Sequence, residues 1–182
     1  SASDLAVPAC RAAVEDAGLA MGQIDLLIMN TITPDHADPG CAFFLQAKLG
    51  LPGIAVMDIR QQCAGLIYGL AIADHFVRAG TYRHVLVACS EVLSKRIDGS
   101  NDGRNIAILL GDGAGAVVVG PSDDQHKGIL STILHADGAG AKALPFNYPM
   151  PGPNRESRRR GPQDRPGWGA SLVIKGHFFV DE

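Results

Sequence analysis

Aromatic residues are scarce in this 182-residue sequence, at 5% with a single Trp. No apolar run approaches the roughly 18 residues needed to cross a bilayer, which excludes a helical membrane span from the residues given. Charge of one sign is also lacking. With 16 Lys and Arg against 19 Asp and Glu, the formal net charge is −3, and no overall basic field draws the chain to nucleic acid. The four cysteines, at 10, 41, 63 and 89, form no CxxC pair, and no histidine cluster has zinc-ligand spacing, so no metal site is expected. An even cysteine number alone would suit disulfides. The opening SASDLAVPACRAAVEDAG, however, is an amphipathic helix pattern carrying acids rather than a secretory leader, so reduced thiols and a cytoplasmic setting are expected. The chain opens with neither an initiator Met nor a leading strand, and further residues upstream are expected.

What is present is material for a core. Hydrophobic residues make up 46% of the chain and the mean hydropathy is +0.09, enough for one domain or one half of a larger two-part fold. Leu5 to Gly18 carries apolar residues at helical spacing and stops at Ala17-Gly18. Ile24 to Met29 is a short apolar run of strand length. Pro39-Gly40 opens a second helix, CAFFLQAKLG, closed by Gly50; Ile54 to Ile59 is the next strand. A third helix is expected from about Cys63 to Ala79, followed by a strand at His84 to Ala88. Helices alternating with near-continuous apolar strands point to an α/β fold with a mostly parallel sheet covered by helices.

After Asn105 the pattern changes. NIAILLGDGAGAVVVG and GILSTILHA read as extended segments, with adjacent strands finishing the sheet. From Asp137 to Gly169, Pro, Gly and Arg dominate and periodicity disappears, as in a long surface loop or insertion. SLVIKGHFFVDE closes the chain as a strand and the start of another element. The expected division is therefore residues 1–136 as one half-domain and 137–182 as loop or insertion plus the next element.

The glycine run Gly111-Asp112-Gly113-Ala114-Gly115-Ala116 invites a dinucleotide-binding reading, but that site needs a helix after the glycines. Val117-Val118-Val119 is strand chemistry instead, and a tight turn packed closely against another backbone is the better expectation. Cys10 and Cys89 read as small buried hydrophobes. Cys41 and Cys63 each fall at an expected helix start, where unpaired N–H groups and the macrodipole stabilise a thiolate. Bulky Ala-Phe-Phe-Leu after Cys41 suits burial. Around Cys63, Ala64 and Gly65 leave open space for an incoming group, while Leu66, Leu70 and Val77 anchor the helix that follows. These residues alone leave open whether Cys63 is a nucleophile.

Asp58 to Asp74, DIRQQCAGLIYGLAIAD, resembles the active-site segment of β-ketoacyl-ACP synthase III, a thiolase-fold condensing enzyme. GDGAGAVVVG resembles the same family's glycine-rich segment at nearly its spacing, and TITPDHADPG, SEVLS and the opening helix fit its order of elements. The similarity runs from about Ser3 to Gly138, which implies the N-terminal, βαβαβ-type half of a thiolase-like fold. It further implies acyl transfer from acyl-CoA to Cys63, whose backbone N–H contributes to the oxyanion hole. Decarboxylative Claisen condensation with malonyl-ACP would follow, initiating fatty acid or polyketide synthesis. The implied partners are acyl-CoA, acyl carrier protein and a second copy in a homodimer, with no cofactor. Arg104 matches a family arginine that contacts the CoA adenine; a solvated loop arginine is the other reading.

Three departures qualify the match. The family's catalytic His and Asn belong to a C-terminal half not present here, and the histidines at 36, 75, 84, 126, 135 and 177 match neither. Asp38 stands where the family often has an aromatic acyl-pocket residue, which leaves chain preference open and points to a wider or more polar pocket. Residues 139–169 resemble nothing in the family. Their arginines, 155, 158, 159, 160 and 165, read first as an exposed loop and second as a contact for CoA phosphates or an acidic carrier. Two other functions use the same nucleophile or none: a thiolase-fold acyltransferase forming an ester or amide, and a non-catalytic or truncated subunit.

Overall fold

The computed structural model describes residues 1–95, 97, 101, 103–124, 127–139, 172–174 and 177–181. The arginines of the 139–169 stretch, and His126, lie outside them. In chain order the elements are α1 (Ala2–Asp16), β1 (Leu26–Asn30), α2 (Cys41–Leu49), β2 (Ala55–Ile59), α3 (Gly65–Arg78), β3 (Val85–Val92), α4 (Arg104–Ala107), β4 (Asp112–Ser122), β5 (Leu172–Ile174) and β6 (His177–Asp181). The sheet runs β2-β1-β3-β4-β5, and β6 also pairs with β4. β1 is parallel to both β2 and β3, while β4 returns antiparallel to β3. The short β5 and β6 lie parallel to β4.

The strands are continuous apolar runs because both sheet faces are covered. Side chains alternate across the pleat. Leu27, Met29, Leu86, Ala88, Ala116 and Val118 meet α1 and α2 on one face. Leu26, Ile28, Val85, Val87, Val117 and Val119 meet α3 on the other. Every residue of β1 is buried. Leu66, Leu70 and Val77 of α3 pack against the second cluster, as their spacing predicts. α2 ends at Gly50, whose φ of 70° is the left-handed conformation of a helix stop.

Four local expectations are corrected. The glycine run is not a turn but the opening half of β4, where its small residues oppose Cys89 to Val92 of β3. NIAILL does not extend; Arg104–Ala107 form one helical turn ahead of β4. GILSTILHA forms no strand: Leu130 and Ile133 are 82% and 75% exposed, so nothing buries an apolar face there to hold an extended ladder. The third helix begins at Gly65 rather than Cys63, which sits in a 3₁₀ turn at Gln62–Ala64.

A polar knot ties the start of α1 to α2. Ser1 caps α1 in a capping box with Asp4. Asp35 accepts hydrogen bonds from the Ser3 N–H, the Ser3 hydroxyl and the Ser1 hydroxyl, and Lys48 of α2 reaches it at 3.5 Å. Burial alone would raise the Asp35 pKa, but these hydrogen bonds and the Lys48 charge outweigh it and hold the carboxyl near 2. A carboxyl lowered in the folded state adds stability that is complete above its unfolded pKa and is lost as pH falls through its folded one. Wild-type protein should therefore lose this share between roughly pH 4 and pH 2. Urea unfolding of Asp35→Asn is expected to show lower stability at neutral pH and a shallower fall across that acid window; an equal fall in both proteins would contradict the assignment.

Candidate active site

Because β1, β2 and β3 run parallel, the loops after them all emerge at one edge of the sheet. Antiparallel β4 begins at that same edge, where Asp112 faces Val92. Asp38 lies in the loop after β1, Cys63 follows β2, and Arg104 follows β3. Topology thus brings the three to one edge, although no hydrogen bond or ion pair joins any two of them. Asp38 is exposed just before Pro39, and Arg104 is exposed at the start of α4. Arg104 is therefore helical rather than a loop residue.

The edge is held by groups that are polar and placed at strand ends. The Glu91 carboxylate accepts hydrogen bonds from the Ile32 N–H at 2.9 Å and the Thr33 hydroxyl at 2.8 Å, and the Val92 N–H donates to Thr33 Oγ1. These bonds pin the loop after β1 to the end of β3. Asp58, near the end of β2, accepts the Ala42 N–H with both carboxylate oxygens at 3.1 Å. It therefore caps α2 from a neighbouring strand. Desolvation raises its pKa, and the N–H groups of Ala42 and Cys41 oppose that rise.

Cys63 sits on the sharp elbow between β2 and α3. Gln62 has φ +46°, a left-handed conformation uncommon for a non-glycine residue and a sign of local strain. The turn leaves Cys63 exposed, whereas Cys10 and Cys41 are buried and Cys89 is partly so. Burial pushes the Cys10 thiol up to about 12, and those of Cys41 and Cys89 up to about 11. The sequence reading gave Gly65 to an incoming substrate, but the structure gives it to Asn30. A Cβ at Gly65 would lie 2.0 Å from Asn30 Cγ, so only glycine admits that side chain beneath the elbow. Sequence reasoning passed over Asn30 and Asp58. The available signal was an uncharged amide closing the apolar run LLIM, and an acid directly after IAVM.

A buried thiol with a pKa near 11 has only about one molecule in a thousand ionised at pH 8. Cys63 is therefore expected to react with iodoacetamide ahead of the other three cysteines. Peptide mapping in which Cys41 or Cys89 leads would remove Cys63 from the site.

Among the described residues, no group of three His, Cys, Asp or Glu is placed to hold a metal ion, and no helix is long and apolar enough to cross a membrane. A family profile described as 3-oxoacyl-[acyl-carrier-protein (ACP)] synthase III matches residues 57–138, which include Cys63 and the glycine-rich start of β4. β-Ketoacyl-[acyl-carrier-protein] synthase III 1 of Bacillus cereus is 46% identical over 142 residues, covering 78% of this chain and 45% of that protein. The crystal structure of the synthase III from Thermus thermophilus superposes with a TM-score of 0.72 at 40% identity, covering 80% of this chain and 44% of the other. The Aquifex aeolicus enzyme gives 0.72 at 39% identity over 76% and 44%. The chain spans a little under half the length of these relatives, and across that span its thiolase-like fold and sequence place it in the β-ketoacyl-[acyl-carrier-protein] synthase III family.

Proposed function

We propose that Cys63 is the acyl-accepting nucleophile of a decarboxylative condensing enzyme, and that this chain carries the acylation part of its chemistry. The observation that carries the reading is the placement of the one exposed cysteine on a strained elbow, at the C-terminal edge of a parallel sheet. In the first step the Cys63 thiolate attacks the carbonyl carbon of an acyl-CoA. A carbon–sulfur bond forms to Cys63, the bond to CoA sulfur breaks, and the CoA thiolate leaves. The Cys63 backbone N–H is one of the donors facing the transient oxyanion. In the second step malonyl-ACP loses carbon dioxide, and its carbanion attacks the acyl carbon. The Cys63 thiolate is released as β-ketoacyl-ACP forms. Activation comes from the thioesters, so no cofactor enters either step.

The other assignments follow the same frame. Arg104, exposed at the sheet edge that carries Cys63, would meet the CoA adenine, and Asp38 would line the acyl pocket and make it more polar than an aromatic residue would. Partners are acyl-CoA and acyl carrier protein, in the cytoplasm, where thiols stay reduced. The half-domain of residues 1–136 carries the nucleophile, with 137–182 leading onward. Ile108, Leu109, Leu130 and Ile133 are each at least 74% exposed, an apolar surface that the remaining length of the family would cover. β2 ends the sheet order with one edge free of a partner strand among the described residues, and we assign that edge to a two-fold interface with a second copy.

Dividing the chemistry sets the expected outcome. Condensation needs donors that stabilise the enolate, and each such preorganised donor is worth about 10²–10³ in rate. The family's His and Asn have no counterpart among these residues. A short acyl-CoA should therefore acylate Cys63 slowly, seen as a mass increase by intact-protein mass spectrometry and absent in Cys63→Ala. Adding malonyl-ACP should yield no β-ketoacyl-ACP; turnover would contradict the division. Light scattering of the intact enzyme at micromolar concentration should give a dimer, and a monomer would remove the role assigned to β2.

A further inference from the structure

The Asn30 side chain is buried at the end of β1, 2% exposed, with its amide aimed into the backbone of the Cys63 elbow. Its Oδ1 accepts the Gln61 N–H at 3.0 Å, and its Nδ2 donates to the Gln62 carbonyl at 3.2 Å. Both bonds flank the φ of Gln62, the torsion that carries the strain. The amide fits because Gly65, the first residue of α3, has no Cβ to occupy its place. A strained torsion persists only when its surroundings over-determine it. Here an acceptor holds the backbone just before Gln62 and a donor holds it just after. Apolar residues of the same strand could anchor β1 but could make neither bond.

We propose that Asn30 is a positioning residue: it clamps the strained Gln62 turn and thereby fixes how Cys63 and its backbone N–H are presented to a thioester. The inference rests on the reading of Cys63 as the nucleophile. Asn30 itself touches no reacting atom. Its effect passes through the elbow, where a misplacement of about 1 Å can cost around a hundredfold in rate. Without the clamp, Gln62 relaxes toward the ordinary negative φ region and the following residue turns with it.

The test uses the 182-residue chain and two thiol reagents. Phenyl thioacetate transfers its acetyl group through a tetrahedral oxyanion: a bond forms from Cys63 sulfur to the carbonyl carbon, and thiophenolate leaves. Iodoacetamide alkylates by displacement of iodide and forms no oxyanion. Asn30→Asp keeps the side-chain shape and an acceptor for Gln61 but loses the donor to Gln62. Gly65→Ala evicts the amide from the opposite side, and Asn30→Ala removes it. Each variant is expected to slow acetylation of Cys63 by about tenfold or more, while alkylation stays within about threefold of wild type. Acetylation within about twofold of wild type in the folded variants would overturn the clamp and leave Cys63 untouched. So would acetylation and alkylation falling together in step with the folded fraction, read by circular dichroism. Wild-type acetylation no faster than in the urea-unfolded chain, or an adduct persisting in Cys63→Ala, would instead remove the nucleophile and the role of Asn30 with it.

Discussion

Burial of β1 on both faces is the constraint from which the arrangement follows. All five of its residues are buried, with Leu27 and Met29 facing α1 and α2 and Leu26 and Ile28 facing α3. A strand in that position needs helical cover on each side, and the chain supplies it by crossing over between parallel neighbours. Parallel pairing then sends every following loop to one edge. The polar residue that ends β1 inherits both circumstances. Asn30 is deep enough to be shielded from water and near enough to the edge to reach the turn leaving β2. At such a place an unpaired amide would cost on the order of 1–3 kcal/mol, so its two bonds to the elbow are as much a condition of folding as a feature of the site.

Much of the fold was legible because its signals are local. The helix at Leu5–Gly18, the stop at Gly50 and the apolar runs IDLLIM and IAVMDI each announce an element within a few residues, and each is found close to its expected place. The misreadings have a common cause: the deciding partner is distant in the chain. Gly113 and Gly115 look like a turn until β3 is set against them, since their extended form is imposed by pairing with Glu91 and Cys89. Leu130 and Ile133 look like strand residues, but strand formation needs a packed face and they have none.

The site divides along the same line. That Cys63 stands apart among four cysteines could be read from its neighbours, because helix starts and small residues are written locally. That Gly65 is small for the sake of Asn30 could not, since the two are separated by 35 positions, the difference of their numbers. Asp58 escaped notice for the same reason: nothing near it in sequence shows that it caps a helix starting at Cys41.

Asp58 also explains why two cysteines at similar positions differ in chemistry. A helix N-terminus stabilises one nearby negative charge well, because its free N–H groups are few and its dipole field is short-ranged. At α2 that capacity is already taken: the Asp58 carboxylate accepts the Ala42 N–H, and the Cys41 N–H serves it too. A thiolate at Cys41 would be a second anion in the same place. Burial works hardest against it, and the charges of Asp35 and Asp58 add to the penalty, so its thiol is pushed up to about 11. At α3 no side chain caps the N-terminus, and the turn before it, Gln61-Gln62-Cys63-Ala64, carries no charge. Anion stabilisation at that helix start remains available to the sulfur or to an oxyanion formed beside it. The two helices thus divide the work: one N-terminus is filled to hold the sheet edge together, and the other is left open for chemistry.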